Sequence, residues 1–196
     1  MRHHFIAILL VAAGPVFADI DLTPQTIATQ FGGFTAGRVQ FADGDKKVSV
    51  SLDSDAHASP DESGTVFRFG GIPDAKVRMR RSPLNATVPF DADGLVQYQK
   101  AAVQMLPQSA QSVAQEEAAA ESESINGGQS YRFVFTYSVA GVPLRESIVF
   151  LNIDARQQIV VQTIGIVKSF DAATQRAVRL IRDWHFTTPS EEKGEN

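Results

Sequence analysis

Apolar and polar residues alternate with a period of two through most of this chain, and in two places the spacing changes to three and four. The first alternating runs are Arg38-Val39-Gln40-Phe41 and Lys47-Val48-Ser49-Val50-Ser51-Leu52, on either side of Asp43-Gly44-Asp45. Two such runs about a Gly turn predict a β-hairpin. Residues 65–69 and 76–80 alternate in the same way and predict two further strands, separated by Gly70-Gly71 and Pro73. The clearest region comes last. Residues 131–137, 144–153 and 159–167 are strand-like runs joined at Gly141-Val142-Pro143 and Asp154-Ala155-Arg156-Gln157, which predicts an antiparallel meander.

The helical spacing appears where Leu95, Tyr98, Ala102, Met105 and Leu106 recur, predicting a helix over 93–106 capped by Asp91 or Asp93 and ended by Pro107. A second helix is predicted from Asp171 to Trp184. Ala173, Ala177, Leu180, Ile181 and Trp184 form its apolar side, and Arg176, Arg179 and Arg182 its solvent side. Residues 109–124, rich in Ala, Ser, Gln and Glu, fit either a helix extension or a polar edge strand, the strand being favoured because Pro107 has just interrupted the helix. Residues 53–63 read as a solvated loop, 19–37 as an irregular Gly-containing lead-in and 187–196 as a disordered tail. The expected architecture is a single α+β domain over 38–186, an antiparallel β-sheet with helices packed on one face.

The first residues change the picture by adding an address. Arg2-His3-His4 precedes a short apolar run over 5–13, Gly14-Pro15 breaks it, and Val16-Phe17-Ala18 offers the small residues of a cleavage site. That layout predicts a signal peptide over 1–18, cut after Ala18, and an exported protein, periplasmic in a Gram-negative source. The apolar run is too short to span a bilayer. Across 196 residues the net charge is −4, which argues against bulk binding to nucleic acid. The chain has no cysteine, which excludes thiol catalysis, thiolate zinc sites and covalent haem attachment. Loss of the signal would leave only His57 and His185, too few for a zinc site built on several His.

Candidate chemistry is sparse. Asp43/Asp45, Asp53/Asp55 and Asp91/Asp93 offer oxygen ligands of the kind calcium takes, but the position that would carry a closing Glu after Asp91 is Ala102, so turns and helix caps explain them better. His57, beside Asp55, Ser54 and Ser59, lacks the Gly-x-Ser-x-Gly setting of an exposed nucleophile. His185, at the end of the second helix, reads as a partly buried residue steadying the helix C-terminus. Glu116, Glu117, Glu121 and Glu123 read as solvated surface, and Asn85-Ala86-Thr87 matches a sequon without consequence in a bacterial protein. The most localised basic feature is Lys76, Arg78 and Arg80, alternate residues on one strand face, with Arg81 adding a fourth charge. These four are the candidate ligand or partner-binding residues. A charged edge strand guarded against aggregation is the competing explanation.

The order of elements over roughly 38–186 resembles the PsbP-like superfamily of small exported accessory proteins. An early hairpin and a helix near 93–106 precede a long meander. The strand Ile159-Val160-Val161-Gln162-Thr163-Ile164-Gly165 then leads to a closing helix ending Leu180-Ile181-Arg182-Asp183-Trp184-His185-Phe186. Asp183-Trp184 departs from the Ser-Phe pair more usual there. The resemblance implies a role as accessory or binding factor rather than an activity. The expectation is therefore an exported, non-enzymatic protein acting through a sheet or sheet–helix surface on a protein partner in the cell envelope or on a small apolar ligand. No cofactor, metal, nucleic acid or membrane span is expected, and Val134, Ile148, Phe150, Val160 and Ile164 are expected to line the core or a pocket. The alternative is a small periplasmic hydrolase using a carboxylate or His57.

Overall fold

A computed structural model describes residues 20–31, 34–44, 46–85, 88–120, 125 and 127–187. The expected signal segment, residues 188–196 of the tail, Gly32-Gly33, Asp45, Glu121, Glu123 and Ala86-Thr87 of the sequon lie outside them. The strands are β1 (Asp21–Phe31), β2 (Phe34–Asp43), β3 (Lys46–Leu52), β4 (Ala56–Asp61), β5 (Gly64–Phe69), β6 (Ile72–Arg81), β7 (Gln111–Ala120), β8 (Ser130–Val139), β9 (Val142–Asn152), β10 (Gln158–Ile166) and β11 (His185–Thr187). The helices are α1 (Ala92–Met105) and α2 (Val167–Arg182). They build a four-stranded sheet, β1-β2-β3-β11, and a seven-stranded sheet, β4-β5-β6-β10-β9-β8-β7, in which the paired strands run antiparallel.

The meander β8-β9-β10 forms as the alternation predicts, and it is the floor of two separate cores. On one face Val149, Leu151, Ile159 and Val161 meet Ala173, Ala177, Leu180 and Ile181 of α2, together with Val39, Phe41, Val48 and Val50 of the small sheet. On the other, Ile148, Phe150 and Val160 meet Phe133, Phe135 and Tyr137 of β8 and Tyr98, Ala101 and Ala102 of α1. The α+β class and the antiparallel sheet are as expected. The expected single layer of helices is corrected: α1 and α2 lie on opposite faces. Neighbouring residues of β9 and β10 point to opposite sides, and both sides here are apolar.

Local chemistry sets the element ends. Asp91 caps α1, its Oδ1 accepting from Gly94 N at 2.9 Å. The turn from β8 to β9 is the pair Ala140-Gly141, both at positive φ (51° and 78°), the geometry that matches strand twist in a two-residue hairpin. The edge-strand reading of 109–124 stands as β7, among whose residues only Glu117 and Ala119 are partly shielded.

Four expectations are corrected. The lead-in contains β1, hidden because Leu22 is its one buried residue among those from Asp21 to Ala28 and because Pro24 breaks the ladder; the register shift between Asp21 and Gln25 absorbs that proline. The solvated loop contains β4, a short edge strand of small and polar residues with Pro60 near its end. The second helix starts at Val167 rather than at Asp171, which lies exposed inside it; the N-cap position is Ile166 and makes no side-chain cap. That helix ends at Arg182, and His185 opens β11 opposite Ser49, so Thr187 belongs to a strand rather than to the tail. His185 is exposed, with Nε2 3.2 Å from Asp183 Oδ1.

Trp184, the one tryptophan of the chain, is buried against Phe41 at 5.8 Å between ring centroids. Its fluorescence therefore reports folding of the α2-side core. Phe150, fully buried against Tyr98 and Phe133, holds the opposite core. Phe150→Ala is expected to cost about 3–5 kcal/mol. A lowered urea midpoint by Trp184 fluorescence checks this, and a coincident transition by circular dichroism checks that the two cores unfold together.

Candidate functional site

The basic strand of the sequence is β6, and the alternation that singles it out also divides it. Val77 and Met79 enter the α2-side core, so Lys76, Arg78 and Arg80 face the other way, onto the α1 side. Their cross-strand partners on β10 are Ile164, Gln162 and Val160. All three basic residues are half-buried. Arg81 leaves the strand on the opposite face. It points with Met79, and its Nε and a terminal nitrogen donate to the Ile20 carbonyl at 3.0 and 2.8 Å, tying β6 to the start of β1. Arg68 of β5 joins the three basic residues: Phe67 and Phe69 enter the α2-side core, and Arg68 alternates with them.

Behind the cations lies Glu146 of β9, fully buried. Tyr137 Oη donates to its Oε2 at 2.6 Å and Gln162 Nε2 donates to its Oε1 at 2.7 Å. Burial raises the Glu146 pKa, against the lowering influence of these two donors and of Arg80 and Arg78. Tyr137 is pushed above the usual phenol range by burial, then by the charge of Glu146. Burial lowers the Lys76 pKa first, then the neighbouring charges of Arg78 and Arg68, against the raising influence of Asp61 and Glu146. Asp61 of β4 answers part of that positive charge: Arg78 Nε lies 2.5 Å from Asp61 Oδ2, an ion pair outside hydrogen-bond geometry.

Arg80 and Arg81 also line a solvent-open cleft of about 410 Å³ between β6 and the last turns of α1, walled by Ser63, Ser82, Pro83, Ala101, Gln104 and Met105. The Arg80 Nε is buried and has no hydrogen-bond partner. The arrangement can hold oxyanions: cations on two adjacent strands, one open cleft and an internal carboxylate that limits their mutual repulsion.

The other candidates separate. Asp91 is spent on the α1 cap, and Asp43 Oδ1 accepts from Gln157 Nε2 at 2.9 Å. Asp53 and Asp55 both bind Arg176, and Arg179 reaches Asp53 at 3.3 Å. Arg176 therefore turns into the β3–β4 connection instead of facing solvent, corrected by the carboxylates the connection presents. Among the described residues no group of three or more His, Asp or Glu side chains is placed to hold a metal ion. Asp55 accepts from Gly71 N at 3.2 Å and pairs with Arg176, while His57 stands exposed on β4 opposite Arg68 in register. Glu116 and Glu117 pair with Arg145 and Arg132 at 2.8 and 2.7 Å. The register shift between Gln115 and Glu117 lets adjacent acids reach the same face.

Of the residues expected to line a core or pocket, Ile148, Phe150 and Val160 fill the α1-side core, Val134 is buried on the opposite face, and Ile164 is half-buried beside Lys76. Sequence reading overlooked Glu146, Gln162, Tyr137 and Arg68. The signal for Glu146 was present, a single acid inside the apolar run of 144–153. Its partners come from β8 and β10 and follow only from strand register.

No family model matches the chain, and no curated protein matches it in sequence. Among solved structures it is similar to LpqN of Mycobacterium tuberculosis, described as involved in cell envelope biogenesis, at 12% identity and a TM-score of 0.50, covering 84% of this chain and 91% of that one. A cyanobacterial PsbP from Synechocystis aligns at 11% identity and a TM-score of 0.48, over 91% of this chain and 99% of that one. At 12% identity the likeness to LpqN is one of fold. No described helix is long and apolar enough to cross a membrane.

Glu146 gives a pH test. An acid whose pKa is higher folded than unfolded binds more protons in the folded state, so stability falls as pH rises from the unfolded value near 4.5 toward the folded one. Glu146→Gln, with the Gln162 amide free to turn over, is expected to remove that fall. Urea midpoints across the acid-to-neutral range check it. A mutant profile still sloping like wild type contradicts the assignment.

Proposed function

We propose that this is an exported accessory protein of the cell envelope that docks an acidic surface of a protein partner on the β5–β6 side of its large sheet. The carrying observation is the gathering of Lys76, Arg78, Arg80 and Arg68 on one sheet face that α1 leaves partly open, in a chain whose net charge is −4. A locally basic face on an acidic protein steers complementary partners and repels indiscriminate anion contact elsewhere on the molecule. The signal-like start of the sequence supports export, and the envelope role printed for the similarly folded LpqN agrees with it. Arg81 borders the same cleft as Arg80 while its guanidinium also holds the Ile20 carbonyl.

An apolar ligand has less to recommend it. Phe133, Phe135, Phe150 and Tyr98 fill the interior beneath α1, and the cleft beside Arg80 is open to solvent.

A crosslinked pull-down of the mature protein from its own envelope extract tests the reading, with bound lipid analysed alongside. Wild type is expected to capture one stoichiometric acidic protein, and Arg78→Glu/Arg80→Glu to lose it while keeping Trp184 fluorescence. Capture unchanged by the double reversal, or co-purifying lipid with no protein, overturns it.

A further inference from the structure

We infer that the partner contributes an extended acidic segment with a carboxylate at every second residue, laid along β6 and anchored at Arg80. The inference rests on the docking reading above and specifies the occupant of the same face.

The first support is spacing. Lys76, Arg78 and Arg80 are alternate residues of one strand, each on the same side of it. A strand rises about 3.3 Å per residue, so these cations recur about every 6.6 Å. An extended peptide repeats the residues of one face at the same interval. Acids at alternate positions therefore stay in step with the row, whereas contiguous acids would turn every other carboxylate away.

The second support is a carboxylate already on the row. Asp61, held in β4 with Pro60 beside it, places Oδ2 at 2.5 Å from Arg78 Nε. It marks where an acid sits against this face. Lys76 and Arg80 flank Arg78 on the same row, and Arg80 lines the open cleft. An incoming acid would pair with Arg80 at the cleft and share Arg78 with Asp61.

The third support is shape. The cleft beside Arg80 has apolar walls in Ala101, Met105 and Pro83, with Gln104, Ser63 and Ser82 at polar positions. An oxyanion bound to Arg80 is flanked by surface suited to the small or apolar residue between two acids. The exposed part of this face carries charged and polar side chains, with His57 and Arg68 exposed and Ser59 and Asp61 half-buried. That surface lacks the apolar stripe on which an amphipathic helix would pack.

The test is fluorescence anisotropy with the whole mature protein and labelled peptides. One alternates Asp with Thr, one has the same composition with its Asp contiguous, and one is helical with Glu at every fourth position. The alternating peptide is expected to bind tightest. Arg80→Gln is expected to weaken it by about tenfold or more, as truncating a desolvated charge contact does. Asp61→Asn is expected to tighten it, because an internal competitor is removed; a purely structural role for Asp61 gives no such gain. Equal binding of the alternating and contiguous peptides, or tighter binding of the helical one, overturns the register and leaves the acidic-partner reading standing. Binding of phosphatidylglycerol vesicles with no response to any peptide overturns the inference. The envelope pull-down then separately decides whether a protein partner is lost as well.

Discussion

Burial of β9 and β10 on both faces is the constraint from which the rest follows. Ile148, Phe150 and Val160 close one core and Val149, Leu151, Ile159 and Val161 the other. A strand pair with two buried faces cannot expose either side, so each face needs its own cover. α1 provides it on one side; α2 and the small sheet provide it on the other. The covers differ in width. α2 packs across β6, β10 and β9, whereas α1 makes its main sheet contacts at β8 and leaves β5 and β6 largely open. The basic residues occupy the uncovered part.

That placement explains a charge that would otherwise be costly. Glu146 sits inside a strand buried on both sides, where an isolated carboxylate is strongly disfavoured. Two donors, from Tyr137 and Gln162, satisfy it, and Arg80 and Arg78 favour its ionised form. Glu146 in turn favours the charged forms of Lys76 and Arg80, against the burial that lowers both. Glu146 and the basic row are therefore one electrostatic unit spanning β8, β9, β10 and β6.

Most of the sheet was legible in the sequence because its strands are strongly patterned. The run 148–151 is continuously apolar since both faces are buried there, and 131–137 alternates because its odd residues fill the α1-side core. β1, β4 and β11 were not legible. Among the described side chains Leu22 and Ala58 are the buried apolar residues in the first two, Pro24 and Pro60 interrupt them, and β11 has three residues. These strands exist through pairing with neighbours rather than through a pattern of their own. The candidate site divides in the same way. Alternation identified Lys76, Arg78 and Arg80 as one face and, taken one residue further, places Arg81 on the other. The Glu146 network depends on which residue of β10 lies near which residue of β9, and only register supplies that.

Native-state hydrogen exchange with residue resolution tests the central claim, that the doubly buried strand pair carries the fold. The account places the slowest amides in β9 and β10, exchanging only through global unfolding, with the β1–β2 hairpin and edge strand β7 opening well before them. Protection in the small sheet that equals or exceeds that of β9 and β10 would contradict it.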